Sequence, residues 1–258
     1  MQNQNNFITD AINLKSYNLS ESDKIIVMYS KEKGLIRGVA KGVKKPKSKL
    51  GARMDLLVAN TLMLHKGRNL DTICQAEVVN SFYKTRQDID KICYSMYVTE
   101  VVHNFGVEED PCSEIIYNLL YKTLNTISSA ETKVDMLLAV IKFQLKMMIE
   151  SGFSLEFDKC LCCHNDVYDE TMYFVPTLGG IICSKCASHI NHHKKQLPYK
   201  LRDFFKQMSI NDFDEKGDFE NKANEKVCIV TFETLKEYIA MKSPKKFKST
   251  NILQEIPT

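Results

Sequence analysis

A chain of 258 residues has room for two or three small domains or one large one. Hydrophobic residues at 44% are enough for a packed core, and 35 basic against 32 acidic residues leave the whole nearly neutral, so the placement of charge matters more than its sum. No run approaches the ~20 apolar residues of a membrane span, and the polar start MQNQNNFITDAINLK lacks a signal-peptide core. The chain therefore reads as cytoplasmic, where its nine cysteines would seldom pair as disulfides.

Residues 7 to 80 alternate as strands do. ITDAINLKSYN, KIIVMYS, LIRGVA, LLVANTLMLH and DTICQAEVVN are short and rich in Ile, Val, Leu, Tyr and Thr, with turn residues between them. Five such segments predict a small closed barrel or sandwich rather than alternating β and α units. Within them lies a one-sided charge run, Lys31, Lys33, Arg37, Lys41, Lys44, Lys45, Lys47, Lys49 and Arg53, opposed only by Glu32. Gly42, Pro46, Ser48 and Gly51 mark its centre, KGVKKPKSKLG, as an exposed loop, and Lys66 and Arg68 form a second, shorter basic loop. Charge runs often only solvate a surface, but one this lopsided in a near-neutral chain is the complement of a phosphate backbone. It is not a P-loop, because the Gly-x4-Gly-Lys-Ser/Thr spacing is missing. Tyr17 and Tyr29 could stack on bases or sit in the core.

From Asp88 the period becomes helical. Ile89, Ile92, Cys93 and Met96 begin one stripe, Ile116, Leu119, Leu120, Thr123, Leu124 and Ile127 a second, and Val134, Leu137, Leu138, Ile141, Leu145 and Met148 a third. Asp110-Pro111 suits an N-cap followed by a first-turn proline. Ser128-x-x-Glu131 fits a capping box, and Gly152 a left-handed stop. A helical bundle of some 65 residues is expected here. Cys74, Cys93, Cys112 and Cys228 stand singly in such contexts and read as small buried hydrophobes.

Then comes KCLCCHND. Cys160 and Cys163 form one C-x2-C pair, and nineteen residues later Cys183 and Cys186 form another. A C-x2-C turn aims two thiolates at one point, and two such turns complete a tetrahedral soft-ligand site suited to Zn²⁺. Four protein sulfurs leave no open position, so the metal would be structural. A redox C-x-x-C would not explain the second pair, and the zinc-deaminase pattern fails because the chain has no His-x-Glu. YFVP and GGIIC read as a hairpin between the pairs, in a region too poor in large apolar residues to fold without a staple. Cys162 is left over. LPYKLRDFFKQMS and VCIVTFETLKEYIAMKS read as helices around an acidic loop, NDFDEKGDFENKANE, and the last residues as a mobile tail.

Taken in order, LKSYNLSESDKIIVMYSKEKGLIRGVAKGVKKPKSKLG, LHKGRNLDTICQAEVVNSF, SMYVTEVV and FDKCLCCHND…YFVPTLGGIICSKC resemble the RecO family of bacterial recombination mediators, over residues 8 to 190, with a weaker echo in MKSPKKFKS. The resemblance implies an α+β protein. Residues 1–82 would be a five-stranded OB-fold barrel that binds nucleic acid. Residues 83–157 would begin a helical domain, 158–190 form a zinc-ribbon-like insertion, 191–245 complete the helical domain, and 246–258 form the tail. It also implies binding of single- and double-stranded DNA, annealing of complementary strands, and work with RecR to load RecA onto strands coated by SSB, whose C-terminal tail docks on the helical domain. No catalysis, small-molecule substrate or membrane is implied, and the place of action is the nucleoid. Lys31, Lys33, Arg37, Lys41, Lys44, Lys45, Lys47, Arg53 and Arg68 fall on the family's basic positions, and Cys160, Cys163, Cys183 and Cys186 on its zinc positions. Where the family has Gly after the first C-x2-C, this chain has His164, in a slot that often needs φ > 0. Some members lack the cysteines, so zinc is not required for the shared activity. A zinc-ribbon module binding RNA or serving transcription is the competing reading.

Overall fold

The computed structural model describes residues 5–167, 171–198, 201–202, 204–205, 207 and 224–249. They fall into two compact units, one of Met1–Ser129 with Phe247–Thr258, the other of Ala130–Lys246.

In the first unit five strands close into an OB-fold barrel, β1 (Asn6–Asn18), β2 (Lys24–Ser30), β3 (Gly34–Ala40), β4 (Ala59–His65) and β5 (Asp71–Asn80), in the order β1-β2-β3-β5-β4. The thirteen-residue β1 makes closure possible. Its first half pairs with β4 from Asn6↔His65 to Ile12↔Ala59, its second half with β2 as far as Asn18↔Lys24, and a bulge between Asn13 and Lys15 turns it from one partner to the other. The parallel β3–β5 contact has only two registered pairs, Gly38↔Asp71 and Val39↔Thr72. Gly38 permits it, since a Cβ there would lie 2.8 Å from Ile73. Alternate residues fill the interior, including Ala11, Ile26, Met28, Leu62 and Leu64, all fully buried. Met54, from a 3-10 turn (Gly51–Met54), joins this core. Strand periodicity thus located all five strands, except that β4 starts at Ala59 rather than Leu56, because Leu57 turns through φ 62°.

Two helices belong to the same unit, α1 (Ile89–Phe105), capped by Asp88, and α2 (Ser113–Ser129). Their connection adds to β3: the Leu35 N–H donates to the Val107 carbonyl at 2.9 Å, and the buried Tyr29 hydroxyl donates to Asp110 at 2.8 Å. Gly34, at φ 69°, admits this connection, since a Cβ would come 2.5 Å from the Val107 oxygen. Tyr29 is therefore a core residue, whereas Tyr17 is exposed. Asp110 is not the helix N-cap expected at Asp110-Pro111. It accepts from the Cys112 N–H in a turn, and α2 starts only at Ser113. The α2 stripe is buried as expected, but that of α1 is rotated. Ile89 is exposed in the first turn, and Tyr94, Tyr97, Val98, Val101 and Val102 face inward. Phe247 lies against Tyr97, while the Lys248 and Ser249 N–H groups donate to Glu100, which corrects the mobile tail for these three residues. Residues 250–258 of that tail lie outside the described residues.

In the second unit α3 (Lys133–Glu150) packs on α5 (Glu225–Lys242). The expected helical stretch is thus divided between the units. The α3 capping box is Thr132 with Asp135, not Ser128 with Glu131, because α2 runs on through Ser129. Gly152 follows α3 at φ 77°, in the left-handed geometry expected of it. Residues 136 to 145 are buried without interruption, so α3 is enclosed on all sides rather than amphipathic. A three-stranded sheet, ordered β7-β6-β8, completes the unit with β6 (Thr171–Val175), β7 (Gly180–Ile182) and β8 (Lys195–Pro198). The expected hairpin is β6–β7, and the third strand lies where LPYK was read as the start of a helix. The described residues Leu201, Arg202, Phe204 and Phe205 are helical. The acidic loop read at 211–225 lies outside the described residues, except Asn224, which caps α5, and Glu225.

Candidate nucleic-acid interface and candidate metal centre

The basic residues divide into two groups. Lys31, Lys33 and Arg37 sit by the β2–β3 turn and on β3, facing carboxylates of the α1–α2 connection and the start of α2. Lys31 pairs with Glu114 at 3.2 Å, Lys33 with Glu109 at 3.5 Å and Arg37 with Glu108 at 3.9 Å. Each pair is open to water and contributes no more than about 1 kcal/mol, yet it offsets local positive potential. Lys66 lines the same small cleft as Lys33, Arg37, Glu108 and Glu109.

Lys41, Lys44, Lys45, Lys47, Lys49 and Arg53 project from the β3–β4 connection, and Arg68 from that between β4 and β5; all are exposed. Among the described residues none of these seven, nor Lys66, forms an ion pair. The long connection is nonetheless well held. Val43 and Met54 are buried in the barrel. The Gly42 N–H donates to Asp23 at 2.7 Å and, with the Ser22 hydroxyl, holds that carboxyl below its usual range. On the return side, the buried Asn13 amide donates to the carbonyls of Arg53 and Asp55, both at 2.8 Å, and buried Asn60 donates to the Arg53 carbonyl at 2.9 Å. These two asparagines orient the loop that bears the cations. Sequence reading passed over them, although a polar side chain at an inward strand position is the signal that finds them. It also passed over Glu108, Glu109 and Glu114.

In the second unit the four cysteines of the two C-x2-C pairs come together, with their sulfurs all within 4.8 Å of one another. Tetrahedral Zn–S bonds of ~2.3 Å would set sulfurs ~3.8 Å apart, and the Cys163–Cys183 separation is 3.9 Å. The first turn is closed by the His164 N–H donating to the Cys160 carbonyl at 2.9 Å. Its left-handed residue is His164, at φ 59°, as the missing glycine led one to expect. The second pair straddles the short α4 (Ser184–Ala187), with Cys183 at its N-cap and its N–H directed at the Cys160 sulfur, 3.4 Å away. Burial raises the Cys160 thiol pKa, but backbone N–H groups of Cys163, Cys183 and Cys162 outweigh it and leave the value at about 6. Cys186 is pushed the other way, first by its hydrogen bond with Cys183 and then by burial. The thiolate is thus favoured at Cys160 and resisted at Cys186. The donor set therefore fits a structural metal. Cys162 lies outside this group and is exposed.

The cysteine loops have an apolar backing that the sequence reading did not anticipate. Leu161 N–H donates to Ile181 on β7 at 3.0 Å, Phe157 stacks on Phe205 at 4.4 Å and on Phe174 at 6.2 Å, and Phe174 meets Tyr238 of α5 edge-on. Of the four single cysteines, Cys93 and Cys228 are buried as expected, Cys112 is half-buried, and Cys74 is exposed on β5.

His164 supplies a further test of the metal centre. Replacing it with Gly removes a left-handed side-chain penalty on the order of 1 kcal/mol, so H164G is expected to raise the thermal midpoint slightly and retain its metal. Metal loss in H164G, read by atomic absorption, would instead make His164 a ligand.

A family model described as recombination protein O N terminal matches residues 1–82, and one described as recombination protein O C terminal matches residues 86–251. A DNA repair protein RecO of Desulforamulus reducens is 34% identical over 180 residues, covering 70% of this chain and 68% of its own. One from Acetivibrio thermocellus is 32% identical over 178 residues, covering 69% of each chain, and one from Rubrobacter xylanophilus 33% identical over 175, covering 68% and 69%. Among the described residues no helix is long and apolar enough to cross a membrane.

Proposed function

The chain belongs to the RecO family, and from that membership we propose that it is a non-catalytic DNA-binding mediator of recombinational repair. In this reading it binds single- and double-stranded DNA, anneals complementary strands, and with RecR helps to load RecA onto single strands covered by SSB, whose C-terminal tail it docks. It would act in the cytoplasm, at the nucleoid. The carrying observation is the basic connection Lys41–Lys44–Lys45–Lys47–Lys49–Arg53, exposed, without an ion pair among the described residues, and anchored in the barrel core by Val43 and Met54. Phosphates of two strands repel each other. A fixed cationic surface neutralises both and raises their rate of encounter without reading bases, and no bond is made or broken. Lys66 and Arg68 extend that surface. Lys31, Lys33 and Arg37 contribute less, because a phosphate must first displace Glu114, Glu109 or Glu108.

The metal of Cys160, Cys163, Cys183 and Cys186 is Zn²⁺ in this proposal, and its role is to hold the two cysteine turns together rather than to act on DNA. Annealing of complementary oligonucleotides, with and without SSB, tests the function. Acceleration under both conditions is expected. A preference for RNA over DNA at matched salt, with no annealing, would favour an RNA-binding zinc module instead.

A further inference from the structure

The α1–α2 connection is fastened to the barrel in a way that sets carboxylates over cations. Gly106 begins it, packed so closely that a Cβ would lie 2.6 Å from the Val102 oxygen and 2.9 Å from the Tyr29 ring. The chain then runs antiparallel to the start of β3, with the Leu35 N–H donating to the Val107 carbonyl and Glu108 bridging to Gly34. Glu109 takes φ 51°, a left-handed backbone that disfavours a side chain, and Asp110 is pinned by the buried Tyr29 hydroxyl. Held there, Glu108 meets Arg37 and Glu109 meets Lys33, while Glu114 in the first turn of α2 meets Lys31, at separations from 3.2 to 3.9 Å. None of these three carboxylates is needed to fasten the connection, which relies on backbone hydrogen bonds and on Tyr29 with Asp110. Their side chains stay 67 to 77% exposed, so an anion approaching Lys31, Lys33 or Arg37 encounters them first.

Resting on the DNA-binding reading, we infer that Glu108, Glu109 and Glu114 are a built-in competitor for phosphate, an autoinhibitory contact that keeps DNA off Lys31, Lys33 and Arg37 and confines its first contact to the β3–β4 connection. A phosphate that takes one of these cations only exchanges one anion for another. It gains the difference between two ion pairs and is repelled by the carboxylate it displaces. At the β3–β4 connection the cations form no ion pair among the described residues, and each phosphate there gains the full release of its counterion. The barrel thus carries two rows of cations of unequal strength, one open and one fenced. The fence limits how many phosphates are neutralised at once. A strand is therefore held loosely enough to be handed on, and the carboxylates rather than the number of lysines set that limit.

The test is the triple variant E108Q/E109Q/E114Q, which keeps side-chain size and leaves the Tyr29–Asp110 and Leu35–Val107 hydrogen bonds in place, so the thermal midpoint should hold. For a single strand of about thirty nucleotides, affinity near 0.1 M salt is expected to rise about tenfold or more. The slope of log K against log salt should steepen by about two, a step of about 0.7 for each unmasked cation. Lysine acetylation with and without bound DNA, mapped by mass spectrometry, reads the site directly. In wild type, DNA should shield Lys44, Lys45 and Lys47 and leave Lys31 and Lys33 reactive; in the variant it should shield all five. Shielding of Lys31 and Lys33 already in wild type, a result that needs no variant, would overturn the inference, as would unchanged affinity and slope in the variant. A gain in affinity with Lys31 and Lys33 still reactive would also overturn it, since the carboxylates would then act through net charge alone. The premise fails separately. If DNA shields none of Lys44, Lys45 and Lys47 in wild type, the basic connection is not the interface, whatever the carboxylates do.

Discussion

Serine in place of Cys163 or Cys186 is expected to release the metal and unfold the two cysteine turns. A structural Zn²⁺ in a small finger supplies apparent folding free energy on the order of 10–16 kcal/mol, and a ligand set of three sulfurs forfeits much of it. The loss here should remain below that limit and local. The sheet behind the turns has its own apolar contacts, Phe157 on Phe174 and Phe205, and Tyr238 donating from α5 to the Phe153 carbonyl at 3.0 Å. The expected result is a metal content falling from one per chain toward zero and a thermal midpoint lower by many degrees. Fast amide exchange should appear at 159–166 and 183–189, and slow exchange persist in α3. A chelator should act on the wild type in the same way. If C163S kept one zinc per chain and its thermal midpoint, the four-cysteine assignment would be wrong. Because the turns stand apart from the basic connection in chain and composition, C163S is also expected to retain DNA affinity.

Reversing Lys44, Lys45 and Lys47 to glutamate should weaken DNA binding about a hundredfold near 0.1 M salt. Each lost phosphate contact on a single strand reduces the slope of log K against log salt by about 0.7. Three contacts remove about two, which is two decades between 1 M and 0.1 M salt. The signature is the slope as much as the affinity, and annealing should slow in step. These side chains are exposed and, apart from the 2.8 Å hydrogen bond from Lys44 to the Ser20 carbonyl, lie outside the hydrogen-bond network that holds the loop. The thermal midpoint should therefore barely move. An unchanged slope in the triple variant would locate the interface elsewhere.

The two sites differ in how far the sequence alone disclosed them. The cysteine cluster was readable because C-x2-C spacing is a local constraint: four residues of chain determine where two thiols point, and the second pair repeats the device. The left-handed turn after Cys163 was equally local, and His164 at φ 59° occupies it. The cations of the barrel were countable but could not be ranked. What separates Lys31, Lys33 and Arg37 from Lys44, Lys45 and Lys47 is the approach of Glu108, Glu109 and Glu114, about eighty residues further along the chain. That approach depends on Gly34 and on the hydrogen bond from Leu35 to Val107.

Periodicity carried the strands, the α2 face and much of α3, because alternation every two residues or every 3.6 is a property of the backbone itself. It failed where ends or short pieces mattered. The four-residue β8 is too short to show a period, and the first turn of α1 puts Ile89 outside the apolar face. Ser128 looked like a cap, but α2 continues past it until Thr132 supplies a better one. By itself, then, the sequence determined the element types, the cysteine turns and the presence of a basic loop, all set by neighbours in the chain. Tertiary structure alone decided which cations face a carboxylate and which asparagines hold the loop, since each depends on residues that meet only when the barrel closes.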